Sequence, residues 1–274
     1  LNKKAYIVID NPTSSIIPLM NTFSDNQDYE ADMFVNNHEA KEIMDDNTLL
    51  VVVDTNKPSI TQCEDLLYMA KMIVVLAHHR QGSDTIRNSV LSYIEPYAAS
   101  ASEMVAESLQ YFTEGIRIRN VEADSIYAGI MIDTDNFMQK TGVRTFEAAA
   151  FLRRCGADVT RVRKLFREDM NDYKARGETI RNAELFRGQF AISECPSDYV
   201  DSPTVVGAQA ANELLNIVCV KAAFVLTEYK GVIYISARAI DEVNVQIIME
   251  RMGGGGHLNM AGCPLATVNM EGAR

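Results

Sequence analysis

Three runs of branched apolar residues constrain this chain more than anything else in it. Ala5-Tyr6-Ile7-Val8-Ile9 ends in Asp10, Leu49-Leu50-Val51-Val52-Val53 ends in Asp54, and Met72-Ile73-Val74-Val75-Leu76 opens into Ala77-His78-His79-Arg80. None carries a polar residue in its interior, and helix-like stretches such as 61–70 lie between them. Continuous Val/Ile-rich strands alternating with helices predict a parallel sheet covered on both faces. In such sheets the chemistry sits in loops at the carboxyl ends of the strands. Neighbouring strand ends are about 5 Å apart, so Asp54 and His78 are expected to meet.

Neutral imidazole binds divalent metals and titrates near neutrality. With only four histidines in the chain, the adjacent pair His78-His79 is the first candidate for metal ligation and phosphate contact. A strand-ending Asp followed closely by Pro is explained by a turn or helix cap, and Asp10 is assigned that role. Asp54 has the histidine pair to meet.

The rest of the chain divides the expected fold. Ser100-Ala101-Ser102-Glu103 has capping-box spacing and opens an amphipathic helix. Ala123 to Asp133 is apolar and small, and periodicity leaves strand and helix both open, with Asp133 at the element's end. Thr145 to Cys155, closed by Gly156, reads as a helix with a glycine C-cap. Residues 158–187 read as one long charged helix connecting two domains. A second domain then begins near Gln189, with strands at Phe190–Ser193, Val218–Leu226 and Val232–Ser236, a hairpin loop at 227–231, and a helix from Val243 to Met252. That helix stops at Gly253-Gly254-Gly255-Gly256-His257, more glycine than a C-cap requires. Such a run lets backbone N–H groups approach a phosphate or base without a Cβ in the way.

The net charge of −11 argues against long nucleic-acid duplexes as partners and leaves room for a small anion held by a local cluster. Five widely spaced cysteines have no metal-ligand spacing and read as buried reduced thiols. No apolar run is long enough to span a membrane, and the first residues have no signal-peptide pattern, so this portion reads as soluble.

The ordered set Val-Val-Val-Asp54, Ala77-His78-His79, Gly129-Ile130-Met131-Ile132-Asp133-Thr134 and Gly-Gly-Gly-His257 resembles the DHH phosphoesterases with their DHH-associated domain. Ile235-Ser236-Ala237-Arg238, Asn244-Val245-Gln246 and Met252 to His257 are similar in detail to the GdpP-type cyclic-di-AMP phosphodiesterases of bacteria. The resemblance implies an α/β fold: a parallel-sheet DHH domain (1–157), a helical linker (158–188) and a smaller α+β DHH-associated domain (189–274). It implies hydrolysis of cyclic di-AMP to pApA at a two-manganese site in a cleft between the domains. Asp54, His78 and Asp133 would hold the Mn2+ ions, and His79 would contact the scissile phosphate. Ser236, Arg238, Asn244, Gly254, Gly255, Gly256 and His257 would hold the nucleotide, with Arg80 and Arg144 as lesser candidates. A membrane-tethered parent protein acting in second-messenger signalling and a homodimer are further implications.

Two departures from the family pattern stand out. Ala77 occupies the place of the Asp in Asp-His-His, which predicts impaired activity, since such an orienting partner is worth about 10–100-fold in metal affinity or rate. The family's first motif, His-x-x-x-Asp-x-Asp, is missing, so the chain is expected to be part of a larger enzyme. The alternatives are a nanoRNase-like exonuclease on short oligonucleotides and a non-catalytic module that binds cyclic dinucleotides.

Overall fold

The computed structural model describes residues 3–13, 16–82, 84–112, 115–240 and 242–265. The tail of the expected second domain, 266–274, lies outside these. The chain forms two compact units, 1–167 and 168–274.

The first unit runs β1 (Ile7–Val8), α1 (Ile17–Ser24), β2 (Phe34–Val35), α2 (Asn37–Ile43), β3 (Leu49–Val53), α3 (Asp65–Met69), β4 (Met72–Ala77), β5 (Leu91–Ile94), α4 (Ala101–Phe112), α5 (Asn120–Asp133), α6 (Val143–Arg154) and α7 (Val159–Leu165). The second and third apolar runs become β3 and β4, paired in parallel from Leu49 opposite Met72 to Val53 opposite Leu76, with β5 parallel on the other side of β4. Ile73, Val75 and Ala77 alternate into the interior and are at most 1% exposed. Burial of this face, together with Val52, Leu67 and Ile86, is what fixes the strand register.

The first run is shorter than its sequence suggests. Only Ile7 and Val8 pair, in parallel with Phe34 and Val35, as a separate two-stranded sheet. Their partner strand ends because Asn36 begins α2, accepting from the N–H groups of His38 and Glu39. Asp10 has the capping role expected of it, its Oδ1 accepting from the Asn37 N–H at 3.2 Å. The sheet is also not covered on both faces. Leu49, Val51 and Val53 stand half exposed along β3.

Residues 120–133, ambiguous by periodicity, are a helix. Ala123, Ala128, Ile130 and Met131 pack with Ala148 and Leu152 of α6 and Val162 of α7 in one cluster. Gly129 permits the close approach of α4, for a Cβ there would collide with Ser102 Oγ. The Ser100 hydroxyl caps α4, accepting from the Glu103 N–H at 2.9 Å.

The expected continuous helix over 158–187 is instead two helices and a strand. Asp158 caps α7 and Asp169 caps the next helix, α8 (Met170–Arg181). A capping Asp in mid-segment offers the backbone an alternative to continuing the helix. Here α7 packs into the first unit through Val162 and an Arg161–Asp124 ion pair, whereas α8 packs into the second. Thr179 of α8 is buried there, its carbonyl accepting from the Ser193 hydroxyl.

After α8 the second unit continues with β6 (Glu184–Phe186), β7 (Phe190–Cys195), α9 (Pro203–Leu214), β8 (Ala222–Tyr229), β9 (Val232–Ala239), α10 (Val245–Arg251), β10 (Gly255–His257) and β11 (Met260–Leu265). The six strands lie in the order β10-β11-β9-β8-β7-β6, antiparallel except for β7 with β8, which α9 connects. Ala223 and Val225 of β8 face α9, while Leu226 and the alternate β9 residues Ile233, Ile235 and Ala237 face α10. The hairpin between β8 and β9 is tighter than expected. Only Lys230 and Gly231 turn, both at positive φ, as a two-residue turn of matching twist requires.

The cysteines form no disulfide. Cys195 and Cys263 are buried as expected, but Cys219 is exposed at the turn before β8. Among the described residues, no helix is long and apolar enough to cross a membrane.

Candidate metal centre and nucleotide-binding residues

β3 and β4 end side by side, and the residues that follow them meet. Asp54 leaves β3 with φ at 68°, a left-handed conformation unusual for a residue with a Cβ. Its N–H remains tied to the Leu76 carbonyl at 2.9 Å, so the turn directs the side chain while the strand pairing holds. Asp54 Oδ1 lies 3.3 Å from His78 Nε2 and 3.8 Å from His79 Nε2. One ligand atom from each of these three residues falls within 4.8 Å of the others, a spacing that suits a shared cation. Asp133, at the C-terminal end of α5, brings Oδ2 to 3.9 Å from His78 Nε2. Three segments far apart in sequence therefore converge on one imidazole edge.

His78 is held from behind. Its Nδ1 lies 3.3 Å from the Ala98 carbonyl, just before α4. A carbonyl can only accept, so Nδ1 donates to it, and Nε2 is the nitrogen turned toward the carboxylates. His79 is held through its backbone: Asn56, 2% exposed, donates its Nδ2–H to the His79 carbonyl at 2.8 Å. The Asn56 carbonyl accepts in turn from the Ile86 N–H, tying the loop after β3 to the chain beyond the histidines. Sequence reading missed Asn56 and Ala98, although Asn56 two residues after the candidate Asp54 was a usable signal.

The electrostatics are those of a site short of positive charge. The hydrogen bond to His78 holds the Asp54 carboxyl below the usual range, and the same bond raises His78. Burial, then the Asp54 charge, push Asp133 up. Burial and the neighbouring His78 lower His79. Two carboxylates that oppose each other's ionisation, with two imidazoles, form a donor set that fits a divalent cation of borderline character.

Arg144, a lesser phosphate candidate, makes a bidentate pair with Glu107, Nε to Oε1 at 2.8 Å and Nη2 to Oε2 at 2.7 Å. Its donors are largely committed to that contact.

In the second unit, Ser236 and Arg238 lie on the same face of β9, opposite Gly262 and Met260 of β11. Arg238 Nη1 donates to the Ala237 carbonyl, but its Nε is buried with no partner among the described residues. Burial lowers the affinity of this guanidinium for its proton. A buried unpartnered donor on a cation is costly, and an anion would satisfy it. Asn244 caps α10, accepting from the Ile247 N–H at 3.2 Å, which commits its carbonyl oxygen to structure.

The glycine run reverses the chain from α10 into β10, whose Gly255, Gly256 and His257 are exposed. Two of its members have packing reasons. A Cβ on Gly254 would meet the Gly262 carbonyl and come within 2.7 Å of Cys263 Cα, and Gly256 has φ at 147° against Ala261. Gly254→Ala is therefore expected to destabilise the second unit by about 1–3 kcal/mol, as overpacking does, measurable as a fall in midpoint in chemical denaturation.

Comparison with known proteins agrees with this architecture. Residues 7–130 match the DHH family, N-terminal domain, and residues 189–273 match the DHHA1 domain. The chain belongs to the DHH family, with a DHH domain followed by a DHHA1 domain. It is 40% identical over 99% of its length to the cyclic-di-AMP phosphodiesterase GdpP of Bacillus subtilis, covering 42% of that protein. To the Geobacillus thermodenitrificans phosphodiesterase of the same name it is 43% identical over 85% of its length, covering 35% of the relative. The chain thus spans less than half the length of these relatives. An exopolyphosphatase-related protein of Bacteroides fragilis shares the fold, with a TM-score of 0.81 and 17% identity, covering 98% of this chain and 80% of that one.

Proposed function

We propose that this chain is the catalytic portion of a metal-dependent phosphodiesterase that hydrolyses cyclic di-AMP to linear pApA, impaired here by Ala77. The observation that carries the reading is the meeting of Asp54, His78, His79 and Asp133 at the ends of β3, β4 and α5, in a chain 40% identical to a cyclic-di-AMP phosphodiesterase.

Asp54, His78 and Asp133 would hold Mn2+ ions, two in the complete family site. When bound, such ions polarise the phosphoryl oxygens and make a nucleophile available at neutral pH. His78 serves as a ligand through Nε2 because Ala98 holds its other nitrogen. His79, half exposed, donates an N–H to a phosphate oxygen. In the DHHA1 domain, Arg238 neutralises a phosphate while Ser236, Asn244, the backbone of Gly254, Gly255 and Gly256, and His257 hold the nucleotide. Arg238 and the glycine backbone are the better supported of these, since Asn244 already has a capping role. On family likeness alone, the reading extends to a parent protein tethered at the cytoplasmic face of the bacterial membrane, to a role in second-messenger signalling, and to a homodimer.

Calorimetric titration of cyclic di-AMP with and without manganese tests the reading. Micromolar binding strengthened by manganese is expected, and absence of binding in both conditions would reject it. Arg238→Met is expected to weaken that binding about tenfold or more, the scale of a charge-assisted hydrogen bond. The same variant should unfold at an unchanged or higher temperature, because it removes a buried unpartnered donor. A fall in melting temperature together with intact binding would make Arg238 structural.

A further inference from the structure

The carboxyl edge of the three-stranded sheet carries a feature that the reaction just described does not use. Asp54 leaves β3 and His78 leaves β4; the next strand, β5, leaves into Glu95-Pro96-Tyr97. This turn is fastened to the histidine loop at two points. The Glu95 N–H donates to the Ala77 carbonyl at 3.0 Å, and the Ala98 carbonyl accepts from His78. Within the turn, the Tyr97 N–H donates to Glu95 Oε1 at 3.1 Å, and Pro96 has a fixed φ. Tyr97 thus stands on a rigid support, yet its side chain is among the most exposed aromatics, at 88%.

Between the turn and the loop lies a cavity of about 450 Å³ lined by Arg80, Gln81, Ile94, Pro96 and Tyr97. Its walls begin one residue beyond His79 and one residue before Ala98. The cavity thus adjoins the histidine loop along the chain, its lining starting at the residue after His79. Arg80 makes no ion pair among the described residues, whereas Glu95 has Arg144 Nη1 at 3.7 Å. The cavity therefore offers an uncommitted cation, an exposed aromatic face and an apolar floor. That combination suits one nucleotide: a base on the ring and a phosphate on the guanidinium.

We propose that this cavity is a nucleotide subsite, in which Tyr97 stacks on a base and Arg80 pairs with a phosphate of the nucleotide next to the phosphodiester facing His79. The inference rests on the phosphodiesterase reading and deepens it. It makes the DHH domain a reader of substrate length as well as the seat of hydrolysis.

The test is calorimetric titration, in the presence of manganese, of pApA and of its two analogues lacking one base each, into the chain and its Tyr97→Ala, Tyr97→Phe and Arg80→Ala variants. Tyr97→Ala is expected to weaken pApA about tenfold, the scale of one base stacked on an aromatic ring, and to leave one of the two abasic analogues unchanged. Tyr97→Phe should retain wild-type affinity, and Arg80→Ala should weaken all three ligands. Manganese affinity should be unchanged in every variant. Equal weakening of both analogues by Tyr97→Ala, or none at all, would overturn the subsite. Loss of manganese binding in Tyr97→Ala would also overturn it, by showing that the turn acts through Ala98 on His78. Failure of the wild-type chain to bind any of the three ligands would instead reject the phosphodiesterase reading, and the subsite with it.

Discussion

His78→Ala should reduce manganese affinity and any manganese-dependent hydrolysis by more than about 100-fold, because groups that merely orient such a ligand are already worth about 10–100-fold. Among the described residues, His78 is the one whose ring nitrogen pairs with both carboxylates, at 3.3 Å from Asp54 and 3.9 Å from Asp133. Removing it also leaves the Ala98 carbonyl without its partner and the two carboxylates facing each other. His78→Gln tests the geometry, since its amide can reach toward the same carboxylates but supplies no imidazole nitrogen. Manganese titration followed by electron paramagnetic resonance reads the loss directly. Unchanged affinity in His78→Ala would remove this residue from the metal site and leave Asp54, His79 and Asp133 to be tested in turn.

The second large effect is a gain. Ala77→Asp is expected to raise manganese-dependent hydrolysis of cyclic di-AMP by about 10–100-fold, the worth of an orienting partner. The position is demanding: Ala77 is fully buried on the β4 face that carries Ile73 and Val75. Burying a carboxylate there costs stability, so a lower melting temperature should accompany the gain in rate. A lower melting temperature with no gain would mean that the Ala98 carbonyl alone suffices to orient His78, and that Ala77 is not the cause of any impairment. Comparing cyclic di-AMP with pApA in this variant separates the substrate classes. Faster pApA cleavage would favour a nanoRNase-like exonuclease, and no hydrolysis of either would favour a binding module.

What the sequence revealed follows from how local each signal is. The strands β3 and β4 were legible because a buried parallel strand is written as an unbroken apolar run. Asp54 and His78 could be paired in advance because strand spacing brings neighbouring ends together. Phe34–Val35 was not legible, since two residues have no periodicity. Residues 120–133 were undecidable because the helix is packed over much of its circumference with small residues, leaving no polar stripe to give the period. The break between α7 and α8 was written in Asp169, a capping residue that the amphipathic pattern on either side concealed. The contacts from Asn56 to His79 and from Ala98 to His78 span 23 and 20 residues, and side chain-to-carbonyl bonds of that separation leave no pattern in a single sequence.

The buttressing of His78 has a thermodynamic corollary. The imidazole is fixed to the carbonyl of Ala98, which like Ala99 is at most 4% exposed, at the entrance to a helix whose Met104 is wholly buried. Its rotamer freedom is therefore lost when the domain folds, before any ion arrives. An ion arriving at this edge meets a ligand already in place, so the entropy of ordering falls on folding and little of it on association. The amide of Glu95, bonded to the Ala77 carbonyl, should accordingly exchange with solvent as slowly before metal addition as after it.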